Sequence, residues 1–553
     1  MSEDLRRIGD EYWEYQLEVS PSTAFMMGDH RHDDRHEDAS RAAEDEEIGR
    51  LKAFTARAVA IDPAGLSADD RISREVLIYE AETTASVLEM RTAEMAVSHT
   101  VGAQALLPVL VSQLPIERPE HAEALLVKFA GIGRWFRDSV DRLREGIARG
   151  RTPMGSTVEK TIAQIDAELA TPVADSPLLG VRTPASFDED AVAEYKGRVA
   201  AAITEHVRPA FAVFREALAD EVLPASRPDD RPGLSWLSDG EETYARLVHR
   251  HTTLAMDPRE IHTIGLQQID KLEDEYRGLG DEVLGTTDLT EIFNRLRDDA
   301  DLHFADGPAV VAASEAAMAK AKAAMGGWFG RLPKADCEVK ETLTGPTAFY
   351  NRPAIDGSRP GTFFVNTAEP ARWGRFEIEA MAYHEGIPGH HLQLAIAQEL
   401  EDVPMFRKHA HVTAYAEGWG LYTERLADEM GLYTGPLERI GMLSADSMRA
   451  GRLVVDTGLH SMGWTRQQAV DYIAANSPMS LATIEGEVDR YIAMPGQALA
   501  YMIGRLEIMR MRAEAAKSMG DRFDIKAFHD VVLGSGLVPL ETLDRMVAEW
   551  AAA

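Results

Sequence analysis

Helical periodicity constrains this chain more than any other feature. Apolar residues recur at three- and four-residue steps over 41–60, 67–97, 118–148 and 189–222, in stretches rich in Ala, Leu, Glu and Arg. Helix starts are written out in places. In "MDPREIHTIGLQQIDKLEDEY", Asp257 can cap, Pro258 suits the first helical position, and Glu260 stands where a capping-box carboxylate belongs. In "GWTRQQAVDYI", Thr465 and Gln468 have the spacing of a reciprocal cap. Strand signal is confined to "PTAFYNRPAIDGSRPGTFFVNT" (346–367), two aromatic and β-branched runs around a Pro/Gly/Asp turn, which reads as a hairpin. A mainly α fold with one small hairpin or sheet follows.

Two stretches interrupt the helices. "TPVADSPLLGVRTPASFD" (171–188) and "LPASRPDDRPGLSWLSDGEE" (223–242) each carry three prolines. The second suggests a lobe boundary. We expect an N-terminal helical lobe over 1–230 and a catalytic helical lobe over 231–553, joined as one continuous structure with a cleft between lobes. No apolar run is long enough to cross a bilayer, and the charged N-terminus "MSEDLRRIGDEYWEYQLEVS" lacks a signal-peptide core. Cys337 is the only cysteine, so a cytoplasmic location is expected. A net charge of -33 disfavours nucleic acid and anionic membrane as partners.

The chemistry concentrates in "MAYHEGIPGHHLQLAIAQEL" (381–400). A zinc-protease helix carries H-E-x-x-H, but four residues after His384 stands Pro388, and the next histidines are His390 and His391. Pro388 has no N–H, and its ring would strike the carbonyl of His384 in a straight helix. Gly386 and Gly389 flank it and permit unusual dihedrals. A straight helix would also carry His391 about 10.5 Å along the axis from His384, too far for one zinc. A bulge absorbing two residues would instead bring His390 to the position of the usual second ligand. On spacing alone, His390 and His391 both remain candidates.

A carboxylate ligand follows in "HVTAYAEGWGLYTERLADEMG". Glu417 sits among Tyr415, Trp419 and Tyr422, where an ionised carboxylate needs a partner or a metal. It lies 27 residues after His390, room for one helix to end and the next to return. Two His and one Glu leave a fourth zinc position open, and Glu385 beside a ligand can act as general base. Farther on, "GRLVVDTGLHSMGWT" sets Arg452, Asp456 and His460 on one helix face. His460 is a candidate oxyanion stabiliser and Asp456 a supporting residue, against the alternative of a structural ion-pair ladder. In "EVDRYIAMPGQALAYMIGRLEI", Pro495 is read as opening a helix, with Arg490, Gln497 and Tyr501 around it. Arg490 would suit a substrate carboxylate, Gln497 would assist binding, and Tyr501 could donate to an oxyanion. The strand "TFFVNT" could offer its edge, including Asn366, to an extended peptide. The histidines of "GDHRHDDRHEDAS" (His30, His32, His36) read as a solvated loop and helix start.

"HEGIPGHHLQ", "YAEGWGLYTERL", "RLVVDTGLH" and "RYIAMPGQALAYMIGRLEI", with "SPSTAFMMGDHRHDD" and "GTFFVNT", together resemble the domain of unknown function 885 family over nearly the whole chain. That family looks like a relative of the gluzincin metallopeptidases and is similar to the Taq-type thermostable carboxypeptidases. The resemblance implies a multi-helix metallopeptidase-like fold, one zinc ion on His384, His390 and Glu417, and Glu385 as base. Gly389-His390 matches the Gly-His of the short motif "HEFGH", which favours His390 over His391. The expected function is a zinc carboxypeptidase acting on short peptides. A zinc amidase or esterase on a small metabolite, and a non-catalytic helical binding protein with a vestigial site, are the alternatives.

Overall fold

The computed structural model describes residues 2–354, 357 and 359–553. The fold is 72% helical, and the described residues add a three-stranded sheet, as the periodicity requires. Among the described residues no helix is long and apolar enough to cross a membrane. The chain divides into two compact units, residues 8–54 with 84–232, and residues 1–7 and 55–83 with 233–553. Where a single cut near 230 was expected, two N-terminal segments instead belong with the C-terminal part. Arg407 shows why. Fully buried, it donates to Asp69 Oδ1 and Ser73 Oγ, both at 2.9 Å, so helix Ala68–Glu89 supplies its counter-charge.

The unit of 8–54 and 84–232 is built on helix Pro119–Ala148. Its Leu125, Phe129, Ile132, Phe136 and Val140 form a core with Ile203, Val207, Phe211 and Phe214. Phe136 meets the Phe211 and Phe214 rings at 5.4 and 4.9 Å. His36 is not solvated, contrary to the local reading. His36 stacks on Trp135 at 5.3 Å and its Nε2 bonds Lys128 O at 2.8 Å, and burial pushes its pKa down to about 4. Those partners come from a helix some ninety residues away, beyond any local pattern.

In the larger unit, α1 (Gly240–Thr252), α2 (Pro258–Leu284) and α3 (Gly307–Ala324) precede the sheet. Asp257 caps α2 as read, accepting from Arg259 N–H, and Thr465 and Gln468 form their reciprocal cap on the helix Arg466–Asn476. The sheet comprises β1 (Cys337–Thr342), β2 (Ala348–Asn351) and β3 (Gly361–Asn366). Its order is β1-β3-β2, with β3 parallel to β1 and antiparallel to β2. The hairpin is therefore present as β2–β3, but its turn falls partly on 355, 356 and 358, outside the described residues. Both edges of β3 are paired, so "TFFVNT" has no free edge for a peptide. β1, whose charged sequence gives little strand signal, covers it.

After the sheet come α4 (Ile378–Glu385), α5 (His390–Glu399), α6 (Thr413–Glu429), α7 (Pro436–Ser461), α8 (Leu481–Ala493) and α9 (Ala500–Met519). α7 packs along α2, and α6 lies close against α9, where Gly418 faces Gly504. α4 is enclosed by α3, α6 and α7. Pro495 does not open a helix. A turn with Gly496 at φ 83° intervenes, and α9 starts at Ala500.

Candidate metal centre

The helix that Pro388 forbids is broken where the sequence requires it. α4 stops at Glu385, α5 restarts at His390, and the Ile387–Pro388 peptide between them is cis. A break of this kind frees backbone carbonyls that burial makes expensive. α6 satisfies two of them from the side. Thr423 Oγ1 donates to Tyr383 O at 3.0 Å, and Trp419 Nε1 donates to Pro388 O at 3.0 Å. Gly389 turns the chain so tightly that a Cβ there would lie 1.9 Å from His384 O. The two histidine rings end with centroids 4.8 Å apart and planes at 82°.

Glu417, on α6, stands against both rings. Its Oε2 is 3.5 Å from His384 Nε2 and 3.4 Å from His390 Nε2. His384, His390 and Glu417 each offer a ligand atom within 4.8 Å of the others. Gly420, one turn on from Glu417, makes room, since a Cβ there would come within 2.7 Å of the His384 ring. The other ring nitrogen, His384 Nδ1, lies 2.8 Å from Glu424 Oε1, a buried carboxylate two turns after Glu417 on the same face. A carboxylate behind a ligating histidine fixes its tautomer and aims the free nitrogen.

The histidines and carboxylates shift one another's ionisation. Burial alone would strip the proton from His384, but Glu417 and Glu424 outweigh it and raise its pKa to about 9. Burial also opposes ionisation of Glu417, yet hydrogen bonds with His384 and His390 hold its carboxyl well below the usual range. His390 Nδ1 and Glu424 Oε2 are buried without a hydrogen-bond partner. Two imidazoles and a carboxylate converging from nearly perpendicular rings form a donor set that fits zinc, with positions left for other ligands.

His391 turns elsewhere. Its Nδ1 meets Tyr350 Oη at 2.9 Å and its Nε2 meets Ala335 O at 3.2 Å, so it ties α5 to the sheet. Glu385 follows His384 in sequence and is half-buried, its side chain making no hydrogen bond among the described residues. Tyr501, in the first turn of α9, stacks on His384 with centroids 6.4 Å apart. Arg490 Nη1 donates to Gln497 Oε1 at 2.7 Å, and Gln497 Nε2 approaches Tyr501 Oη at 3.5 Å. Of these predicted residues Tyr501 lies beside His384, and Gln497 and Arg490 are linked to it in turn.

Two predicted site residues are not. His460 is locked in the core, its Nδ1 accepting from Leu234 N–H at 3.1 Å and its Nε2 facing Tyr491 O at 3.1 Å. With both nitrogens engaged it has none left for an oxyanion. Asn366 ends β3. Its Nδ2 donates to Gly345 O, its Oδ1 accepts from Ala368 N–H, and its carbonyl takes the Trp373 indole N–H. Asp456 forms no ion-pair ladder among the described residues. It accepts from Tyr244 Oη at 2.6 Å and Gly496 N–H at 3.0 Å, and burial pushes its pKa up to about 7.

Sequence reasoning missed Glu424, Arg449 and Glu487. Glu424 was signalled by its seven-residue spacing from Glu417. Glu487 accepts from Arg452 Nη2 at 2.8 Å, Arg490 Nη2 at 2.9 Å and Tyr491 Oη at 2.8 Å, gathering the cations around Tyr501. The Arg452 guanidinium lies 4.4 Å from the Tyr501 ring centroid and Arg449's lies 6.0 Å from it.

No curated protein matches this chain. Solved structures that share its fold include the following two. One is described as a "putative lipoprotein" from Colwellia psychrerythraea, 25% identical, with a TM-score of 0.93 over 99% of this chain and 98% of the other. The second, a "putative lipoprotein of unknown function" from Shewanella oneidensis, is 18% identical, with a TM-score of 0.74 over 98% of this chain and 99% of the other. A family profile matches residues 21–547, nearly the entire chain, and the protein therefore belongs to the bacterial proteins of unknown function DUF885.

Proposed function

We propose that the protein is a zinc-dependent metallopeptidase that cleaves short peptides from the C-terminal end. One arrangement carries the reading: His384 Nε2 and His390 Nε2 converge on Glu417 Oε2, with Glu385 unengaged next to a ligand. His384, His390 and Glu417 would hold a divalent ion, which when bound would supply Lewis acidity and make water a stronger acid. Glu385 takes the proton of the attacking water and returns it to the leaving amine. Tyr501 donates its hydroxyl to the carbonyl oxygen as charge develops there. Arg490 donates to Glu487 and Gln497, and the more deeply buried Arg452 donates to the same Glu487 and to Tyr491. We assign recognition of a substrate carboxylate to Arg490, with Arg452 behind it.

Elemental analysis of protein purified without chelator tests the centre. One zinc lost in His390→Ala and kept in His391→Ala supports it, whereas no zinc in the unmodified chain points to the binding-protein alternative. Peptides with free or amidated C-termini, run against acyl-amide and ester substrates, test the reaction. Turnover of small amides or esters alone would move the assignment to an amidase or esterase. We carry the cytoplasmic expectation into this reading. Recovery of the chain in a membrane pellet released only by detergent would replace it with the designation of the Colwellia and Shewanella proteins.

A further inference from the structure

A second group of ligand-type side chains lies in the unit of 8–54 and 84–232 and is independent of the site at His384. His30, Asp33 and His121 each bring a ligand atom within 4.8 Å of the others. His30 Nδ1 is 2.7 Å from Asp33 Oδ2, so a proton on Nδ1 faces the carboxylate and Nε2 keeps its lone pair. Asp33 is only 3% exposed, and its Oδ1 is buried with no hydrogen-bond partner. His121, 2% exposed, comes from the first turn of helix Pro119–Ala148, and its ring stacks on that of His30 with centroids 3.5 Å apart.

His121 is over-supplied with donors. Glu117 N–H points at Nδ1 from 3.3 Å, while Arg118 Nε and Nη2 reach Nε2 at 3.1 and 2.9 Å. A neutral imidazole accepts at only one nitrogen. Arg118 is well exposed, so an outer cation rests on a nitrogen suited to binding a metal, beside a buried carboxylate oxygen that lacks a partner. The ring planes stand 14° apart, and one ion can lie in both only if a ring turns; His30, the less buried of the two, is the one at the surface.

We infer that His30, Asp33 and His121 form a second divalent metal site, of the zinc or nickel class that imidazole and carboxylate favour, which pins residues 28–36 to helix Pro119–Ala148. Arg118 competes with the ion for His121 Nε2. Calorimetric titration of zinc into the full-length, chelator-stripped protein tests this. Two equivalents are expected in the unmodified chain, one each in His121→Ala and His390→Ala, and none in the double variant. Asp33→Asn should weaken the second equivalent, and Arg118→Ala should tighten it by about tenfold, the scale of one lost charge-assisted hydrogen bond. If His121→Ala unfolds by circular dichroism, the Asp33 and Arg118 variants decide. A stoichiometry and affinity that neither of them changes overturns the assignment, and loss of the His384 site alone leaves it standing.

Discussion

His384 is gripped by carboxylates on both ring nitrogens, and the one behind it, Glu424, sets the direction of the one in front. Glu424→Gln keeps the shape and removes the charge. We expect it to weaken zinc binding about 10- to 100-fold while leaving helix content unchanged, measured by competition with a chromogenic chelator. Glu385→Gln should retain zinc and abolish turnover, and normal turnover would remove the general-base role. Asp456 makes a separate prediction about stability. Its folded pKa near 7 exceeds the unfolded value of about 3.9, so between these pH values only the folded state holds the proton. Its contribution is fully present below about pH 4 and declines by about 1.4 kcal/mol per pH unit up to about pH 7. Urea midpoints of Asp456→Asn should therefore fall less steeply over that window than those of the unmodified chain.

Among elements, the α4–α5 break is the one most legible beforehand, because a proline between two glycines cannot lie in a straight helix. That the break would end with His390 at the metal position could be argued only as one of two registers. The choice was made by α6. Trp419 holds the carbonyl of Pro388 and Thr423 that of Tyr383, and the sheet draws His391 away through Tyr350. Trp419→Phe keeps the packing and loses the donor. It should cost about 1–3 kcal/mol, the penalty for an unsatisfied buried carbonyl, and should also lower zinc affinity. The same dependence on neighbours explains the two misplaced residues. His460 and Asn366 occupy positions that periodicity and strand pattern identify correctly, but the faces they present were taken by Leu234, Tyr491 and Gly345.

For the whole molecule, the division into units argues against cutting the chain at its proline-rich boundary. A 233–553 fragment would leave the buried Arg407 without Asp69 and Ser73, and Arg545 without Glu75, which it meets at 2.7 Å. Losing its counter-charge is costly for a guanidinium as buried as that of Arg407, whereas the part-exposed Arg545–Glu75 pair contributes little. The fragment should be unfolded or aggregated by circular dichroism and light scattering, and adding residues 1–83 in trans should recover part of its helicity. The net charge of -33 gives a second expectation. Self-repulsion weakens as the screening length drops from about 30 Å at 0.01 M salt to about 8 Å at 0.15 M, so the urea midpoint should rise over that range.

What local sequence decides by itself is whatever a short stretch of chain can enforce: helix over most of the length, the caps at Asp257 and Thr465, the break at Pro388, and the kind of ligands on offer. Those depend on dihedral limits and on hydrogen bonds between near neighbours, which act within a few residues. The tertiary structure alone decided that His390 rather than His391 faces Glu417, that Glu424 stands behind His384, that β1 covers the strand edge, and that residues 55–83 complete the C-terminal unit. Each of these turns on which distant side chain or strand fills a given space, and close packing settles that only when the elements have come together.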